Sequence, residues 1–272
     1  YFDAGTEPCV IDIGGLSVAL TICEDIWHPE PAAQAKAAGA EMLININASP
    51  FHRGKTSERL ERVKSCAATH QLPIIYVNQV GGQDELVFDG GSFAIDAQGE
   101  LSVSAQTFIE AFPIVTVDCS SDPRFVRGDT VAEREDLDAV WQALVLGMRD
   151  YVDKNGFPGV VLGLSGGIDS AVTLAVAVDA LGHERVEAVM MPFRYTASMS
   201  VEDAEAEAKA LGVRFSNLSI EPLYEAFMTA LADEFSGLPA NITEENLQAR
   251  CRGVLLMSIS NKKNLLVLTT GN

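Results

Sequence analysis

Basic side chains are scarce in this sequence: 19 Lys and Arg stand against 38 Asp and Glu, a net charge of −19. A field of that sign repels nucleic acid, so no such partner is expected. Small anionic substrates stay open, because a local cluster of amides and cations can outweigh the global excess. Histidine is thin as well. His28, His52, His70 and His183 show no paired spacing and read as packing or surface residues. The cysteines, Cys9, Cys23, Cys66, Cys119 and Cys251, are odd in number, widely spaced and free of any C-x-x-C. Neither a disulfide framework nor a zinc site follows from that spacing, and a reducing, cytoplasmic setting fits it. No apolar run reaches membrane-spanning length, no signal-peptide pattern opens the chain, and there is no internal repeat or low-complexity tract.

What is present is enough apolar material for two modest domains: 47% of 272 residues, with 21% charged. In the first half, the runs 10–13 and 16–22 flank Gly14-Gly15 as a hairpin signal. The Ala-rich stretch 29–39 and the stretch 57–70, with Leu60, Val63 and Ala67 on one face, predict helices. Strands are expected over 42–46, 73–80 and 112–117, with a second hairpin at 92–95 and 101–103. Such a mixture indicates an α+β sandwich. The polar stretch from Cys119 to Val131, holding Pro123 and Gly128, reads as a linker. The expected limits are a first domain over 1–122, a linker over 123–134 and a second domain over 135–272.

The second half alternates regularly. An amphipathic helix over 137–152 stops at Asn155-Gly156. Strands are expected over 160–164, 186–191, 213–220 and 265–268. Helices are expected over 170–181, 201–211, 223–235 and 245–260. Continuous apolar strands in β-α alternation indicate a parallel, doubly wound sheet. The chain opens with Tyr1-Phe2-Asp3 directly before strand-like sequence. It stops at Thr270-Gly271-Asn272 just after an apolar strand, so a segment cut inside domains at both ends is expected.

Ser165-Gly166-Gly167-Ile168-Asp169-Ser170 joins a strand to an Ala-rich helix. Two glycines let the backbone turn tightly near a ligand, and the exposed amides and helix N-terminus favour a phosphate. Ser165 and Ser170 can add hydroxyl donors, and Asp169 can hold Mg²⁺ against phosphate oxygens. The loop is not G-x-x-x-x-G-K-[ST], because no lysine follows the second glycine, and it is not G-x-G-x-x-G. Its plain structural alternative is a tight turn with Asp169 as helix cap. In this setting it resembles the pyrophosphate loop of the ATP pyrophosphatase family, which includes NAD, GMP, asparagine and argininosuccinate synthetases. That resemblance implies an adenine nucleotide α-hydrolase-like fold, cleavage of ATP between its α and β phosphates, and an adenylated substrate.

Two further stretches narrow the resemblance. Residues 191–198, Met-Pro-Phe-Arg-Tyr-Thr-Ala-Ser, are similar to the loop after the second strand of NAD synthetases. Residues 245–252, Glu-Asn-Leu-Gln-Ala-Arg-Cys-Arg, look like the segment of that family that contacts its dinucleotide substrate. Asn246 and Arg250 share a helical face, as do Gln248 and Arg252, and arginine suits phosphate or carboxylate. A merely solvated helix surface is the alternative. Leu268-Thr269-Thr270-Gly271-Asn272 matches a strand end that precedes a second Mg²⁺-binding acid in the family. On this resemblance Ser165 to Ser170 and Thr270 bind ATP, Asp169 binds the metal, and Asn246 and Arg250 bind deamido-NAD.

Leu20-Thr21-Ile22-Cys23-Glu24-Asp25 sets a cysteine where an apolar strand gives way to acids. A thiolate there could attack a carbonyl, with the following amide aiding the oxyanion. Two adjacent acids do not activate a thiol, so a base and a cation are expected from elsewhere; a buried structural cysteine is the alternative. The stretch 22–27, then Asn47-Ala48-Ser49-Pro50-Phe51 with Gly54-Lys55, then residues 77–82, reads like the nitrilase superfamily. It resembles in particular the glutaminase half of glutamine-dependent NAD synthetases. The resemblance implies the C-terminal part of an αββα sandwich, with Cys23 as nucleophile. It puts Ser49 and Lys55 in the glutamine pocket, Lys55 towards the substrate carboxylate, and Glu24 towards the amino group. The family's general-base Glu and its Lys fall upstream of Tyr1.

A nitrilase-like domain directly before this phosphate loop is the arrangement of that family. It implies amidation of deamido-NAD to NAD with ATP, Mg²⁺ and ammonia released from glutamine, and a homo-oligomer. A GMP or asparagine synthetase-like enzyme, or a nucleotide-binding module without turnover, are the alternatives.

Overall fold

The computed structural model describes residues 5 and 7–271; the expectations placed on Tyr1, Phe2, Asp3 and Asn272 lie outside them. Two compact units, Tyr1–Gly147 and Met148–Asn272, divide the chain.

The first unit contains β1 (Cys9–Ile13), β2 (Leu16–Ile22), α1 (Pro29–Ala37), β3 (Met42–Asn47), α2 (Lys55–His70), β4 (Ile74–Asn78), β5 (Val80–Gln83), β6 (Leu86–Asp89), β7 (Phe93–Ile95), β8 (Leu101–Ser104), β9 (Val117–Asp118) and β10 (Arg124–Phe125). Its main sheet has the order β1-β2-β3-β4-β7-β8, with β2, β3 and β4 parallel and the outer pairs antiparallel. Side chains alternate across it, as the strand period requires. Ala19, Leu43, Ile74 and Tyr76 join Ala32 and Ala35 of α1 and Val63 and Ala67 of α2 in one core. Val18, Met42 and Ala94 face the opposite way, where Val103 and Phe125 pack on them. Helix α2 docks through Arg59, Val63, Cys66 and Ala67, one stripe at helical spacing.

Three expectations for this unit change. The strand expected over 73–80 ends at Asn78, and the chain then enters a separate β5-β6 hairpin. That hairpin is four residues a side, with Gly81-Gly82 in one strand, too short and too poor in β-formers to show in the sequence. The strand expected over 112–117 shrinks to Val117–Asp118. Phe112 is 92% and Ile114 89% exposed, because Pro113 offers no amide to a ladder. The polar stretch after Cys119 holds β10, antiparallel to β9.

Helix α3 (Asp136–Lys154) crosses the division between the units. The second unit then contains β11 (Val160–Gly163), α4 (Ile168–Leu181), β12 (Val186–Met190), α5 (Ser198–Leu211), β13 (Arg214–Asn217), α6 (Glu221–Ala230), α7 (Ile242–Lys263) and β14 (Leu266–Leu268). The sheet is fully parallel, in the order β13-β12-β11-β14. Strand order reverses between β11 and β14, the switch point where the carboxyl ends of strands open a crevice. Cys251 and Ile220 pack with Val161 and Val189 under α6 and α7. α7 starts three residues before the expected 245, because Asn241 and Glu244 form a capping box. The Asn241 Oδ1 accepts from the Thr243 amide at 2.8 Å, and Glu244 Oε2 accepts from the Asn241 amide at 2.7 Å. β13 is four residues rather than the eight of 213–220, since Ile220 already serves as N-cap of α6.

Candidate active sites

In the second unit, the loop between β11 and α4 is tied by its own serines. Ser170 Oγ accepts from the Ser165 amide at 3.2 Å, lies 3.0 Å from Ser165 Oγ and donates to the Gly167 carbonyl at 2.9 Å. Ser165 Oγ accepts from the Gly167 amide at 3.2 Å. Ser170 is buried, so its hydroxyl braces the turn from inside, whereas Ser165 is exposed. Gly166 has φ +78°, the left-handed region open to glycine. Helix α4 begins at Ile168, so Ile168 and Asp169 form its first turn, where amides have no intrahelical partner. Ile168 is 75% exposed, and among the described residues no hydrogen bond or ion pair engages the exposed Asp169 carboxylate.

A cavity of about 460 Å³ opens at the carboxyl ends of β11, β12 and β14. Ser165 and Thr270 line it, as do Thr173, Met191, Thr196 and Arg252. Arg252 Nε donates to the Met191 carbonyl at 3.1 Å, and burial lowers the pKa of its guanidinium. Asn246 and Arg250 stand exposed on α7 and are not among the lining residues. Arg252 was legible only as the far end of the 245–252 stretch; which flank of the apolar stripe of α7 meets the strand ends is decided by the sheet.

In the first unit, Cys23 follows the last residue of β2 and opens a 3-10 turn, Cys23–Trp27. Its φ is +51°, an uncommon value for a residue with a side chain. Asp25 caps the turn, its Oδ2 accepting from the Ile22 amide at 2.8 Å. Ser49 follows β3, which is parallel to β2 with Ile22 opposite Ile46. Both residues therefore emerge at the same edge of the sheet. Glu24 is exposed. Lys55, the first residue of α2, places Nζ 4.0 Å from the ring centre of Trp27 and 2.9 Å from Glu58 Oε2. The cation thus sits against the turn that Cys23 begins.

Beneath this edge lies a polar network that the sequence did not single out. Arg59 and Asp89 are 3% and 1% exposed and pair at 2.7 Å. Asn78 Oδ1 accepts from the Ser49 amide at 2.9 Å. Burial raises the pKa of the Tyr76 phenol, the Arg59 charge and the adjoining Ser49 hydroxyl pull it down, and the charges of Asp89 and Cys23 push it up, so Ser49 Oγ is a close neighbour of the phenol. No hydrogen bond of normal geometry reaches the Tyr76 hydroxyl or Asn47 Oδ1 among the described residues, although both are buried.

A cysteine held at a strand end in one unit, and a braced turn at a parallel-sheet switch point in the other, define a two-unit α/β class with one candidate site in each unit. Residues 1–122 match the carbon-nitrogen hydrolase family and residues 140–272 the NAD synthase family. Glutamine-dependent NAD(+) synthetase of Acinetobacter baylyi is 43% identical over 272 residues, all of this chain and 50% of that protein. The Xylella fastidiosa (strain 9a5c) enzyme of the same name is 46% identical over 276 residues, again all of this chain and 50% of its own length. The structure of glutamine-dependent NAD+ synthetase from Acinetobacter baumannii in complex with ADP superposes with a TM-score of 0.94 at 45% identity, covering 100% of this chain and 52% of that one. The chain belongs to the glutamine-dependent NAD synthetase family, and it spans about half the length of the curated relatives it matches.

Proposed function

We propose that the polypeptide carrying this chain amidates deamido-NAD to NAD, using ATP in its second unit and ammonia released from glutamine in its first. The observation that carries the reading is the Ser165–Ser170 turn at the mouth of the cavity lined by Ser165, Arg252 and Thr270. Free amides at the start of α4 favour the pyrophosphate end of ATP. Residues 165–170 and Thr270 bind ATP, and Asn246 and Arg250 meet deamido-NAD where it extends beyond the cavity. Asp169 offers an unengaged carboxylate beside the phosphate-binding amides, which fits Mg²⁺ held by one protein carboxylate and phosphate oxygens. Such an ion, held by Asp169, would supply charge neutralisation at the phosphates.

In the first unit, the Cys23 Sγ attacks the glutamine side-chain carbonyl, the thiol proton passes to the amide nitrogen, and the C–N bond breaks to release ammonia and leave a glutamyl thioester, which water hydrolyses to glutamate and the free thiol. Ser49 and Lys55 line the glutamine pocket, Lys55 towards the substrate carboxylate, and Glu24 meets the amino group. Ammonia then attacks the adenylated nicotinate carboxyl and AMP departs. Because free ammonia is mostly protonated near neutral pH, passage shielded from water keeps the neutral nucleophile available. The first domain spans 1–122, the linker 123–134 and the second domain 135–272. A homo-oligomer in the cytoplasm accords with the family.

The test offers deamido-NAD, XMP and aspartate in parallel, each with ATP, Mg²⁺ and either glutamine or ammonia. Formation of NAD, AMP and pyrophosphate with deamido-NAD alone is expected. Amide formation only on XMP or aspartate overturns the reading.

A further inference from the structure

A buried guanidinium is costly unless every N–H is satisfied. Arg59 meets that condition in an uneven way. Nη1 donates to Asp89 Oδ1 at 2.7 Å and Oδ2 at 2.8 Å. The other three bonds go to one short turn: Nη2 to the carbonyls of Ser49 at 2.9 Å and Pro50 at 2.8 Å, and Nε to Ser49 Oγ at 3.1 Å. Asp89 is held in turn by Asn78 Nδ2 at 3.2 Å and Thr56 Oγ1 at 3.3 Å. With its amide on Asn78 Oδ1, Ser49 has all three of its polar groups engaged by this network. An ion pair that served stability alone could be replaced by apolar packing. Here the cation is aimed at Ser49, two residues past the end of β3, at the same sheet edge as the strand end that presents Cys23.

The direction of one bond matters most. Arginine can only donate, so Ser49 Oγ accepts from it, and the hydroxyl hydrogen points to the other side, where the Tyr76 phenol adjoins it and a ligand carboxylate can compete for it. We propose that Arg59, locked by Asp89, is a positioning residue that presents the Ser49 hydroxyl as a donor to the carboxylate of bound glutamine. This rests on reading the first unit as a glutaminase.

The test compares wild type with Arg59→Lys, Asp89→Asn and Ser49→Ala in the native polypeptide, measuring KM and kcat for glutamine and, separately, the ammonia-driven rate. Arg59→Lys retains the charge but cannot reach the same set of acceptors. The expected result is a KM for glutamine raised about ten-fold or more, as for a misplaced binding donor, with kcat and the ammonia-driven rate within about two-fold. Arg59→Lys and Ser49→Ala together should raise KM no further than the larger single change, because both act through one hydroxyl. A KM within two-fold of wild type in folded Arg59→Lys or Asp89→Asn overturns the proposal. If those two do not fold, Ser49→Ala, which removes only the hydroxyl, decides it alone: an unchanged KM sinks the idea. Wild type that consumes no glutamine sinks the glutaminase reading itself, whereas wild type that does, with unaltered variants, sinks only the role of Arg59.

Discussion

Gly166 lies directly against the backbone of Ser200, the third residue of α5: a Cβ on Gly166 would sit 2.2 Å from the Ser200 carbonyl oxygen and 2.7 Å from its Cα. The turn over α4 is therefore pinned both by its left-handed φ and by a neighbour that cannot yield. The phosphate-type loop and the start of α5 form one rigid corner.

Gly166→Ala should accordingly cost more than the ~1 kcal/mol of an ordinary left-handed alanine, on the order of 2–4 kcal/mol with the collision included. Differential scanning fluorimetry should show a lower Tm for the variant, a rise in Tm when ATP is added to wild type, and no such rise in the variant. An unaltered nucleotide response would show that the corner does not shape the site.

Ser170→Ala removes the inner brace of the same turn, including its bonds to the Ser165 amide and the Gly167 carbonyl. Because water can still reach the exposed Ser165 and Gly167, losing these part-buried bonds should cost about 0.5–1.5 kcal/mol. Chemical denaturation should register that loss, and Ser165→Ala, at an exposed position, should cost less.

Arg252 uses Nε on the Met191 carbonyl and lines the cavity, and among the described residues its terminal nitrogens make no hydrogen bond. Arg252→Met, which keeps much of the length and apolar contact, should weaken ATP binding about ten-fold or more by calorimetry, with little change in Tm. Equal affinity in the variant would remove Arg252 from the site.

Cys23→Ala should abolish glutamine-driven NAD formation while the ammonia-driven reaction persists, and Asp169→Ala should impair both. Rates with the two nitrogen donors, measured side by side, check this division. Parallel loss of both in Cys23→Ala would contradict separate sites.

Two buried thiols, Cys66 and Cys251, should resist modification in the folded protein. Burial raises the pKa of Cys66 and Cys251 above the usual value of 9.0, while Cys9 and Cys119 are exposed. At pH 8 a thiol reagent should modify Cys9 and Cys119 first and reach Cys66 and Cys251 only on unfolding. Because the folded state holds those two protons more tightly, stability from these groups is full below about pH 9 and falls as pH rises beyond it. Denaturant midpoints at pH 8 and pH 10 test the sign, to which other alkaline titrations also contribute.

Much of this was legible along the chain. The β-type run 16–22 and the apolar run 42–46 announced strands, and Asn155-Gly156 ended α3 where expected. Regular β-α alternation announced a parallel sheet, and Gly166-Gly167 between strand and helix announced the turn. Those signals are local: each depends on periodicity or on a backbone conformation that few residues adopt.

Tertiary structure decided the rest, because the relevant partners are far apart in sequence. Nothing near Arg59 reveals that it will face Asp89, thirty residues on, and cradle Ser49, ten residues back. The sequence separated the Asn246/Arg250 face of α7 from the Gln248/Arg252 face, but only the sheet shows that Arg252 lines the cavity at the strand ends while Asn246 and Arg250 do not. Local sequence determined which elements form and where the chain can turn. Only packing in three dimensions determined which polar groups are buried together, and a buried donor must find its acceptor wherever the fold has placed it.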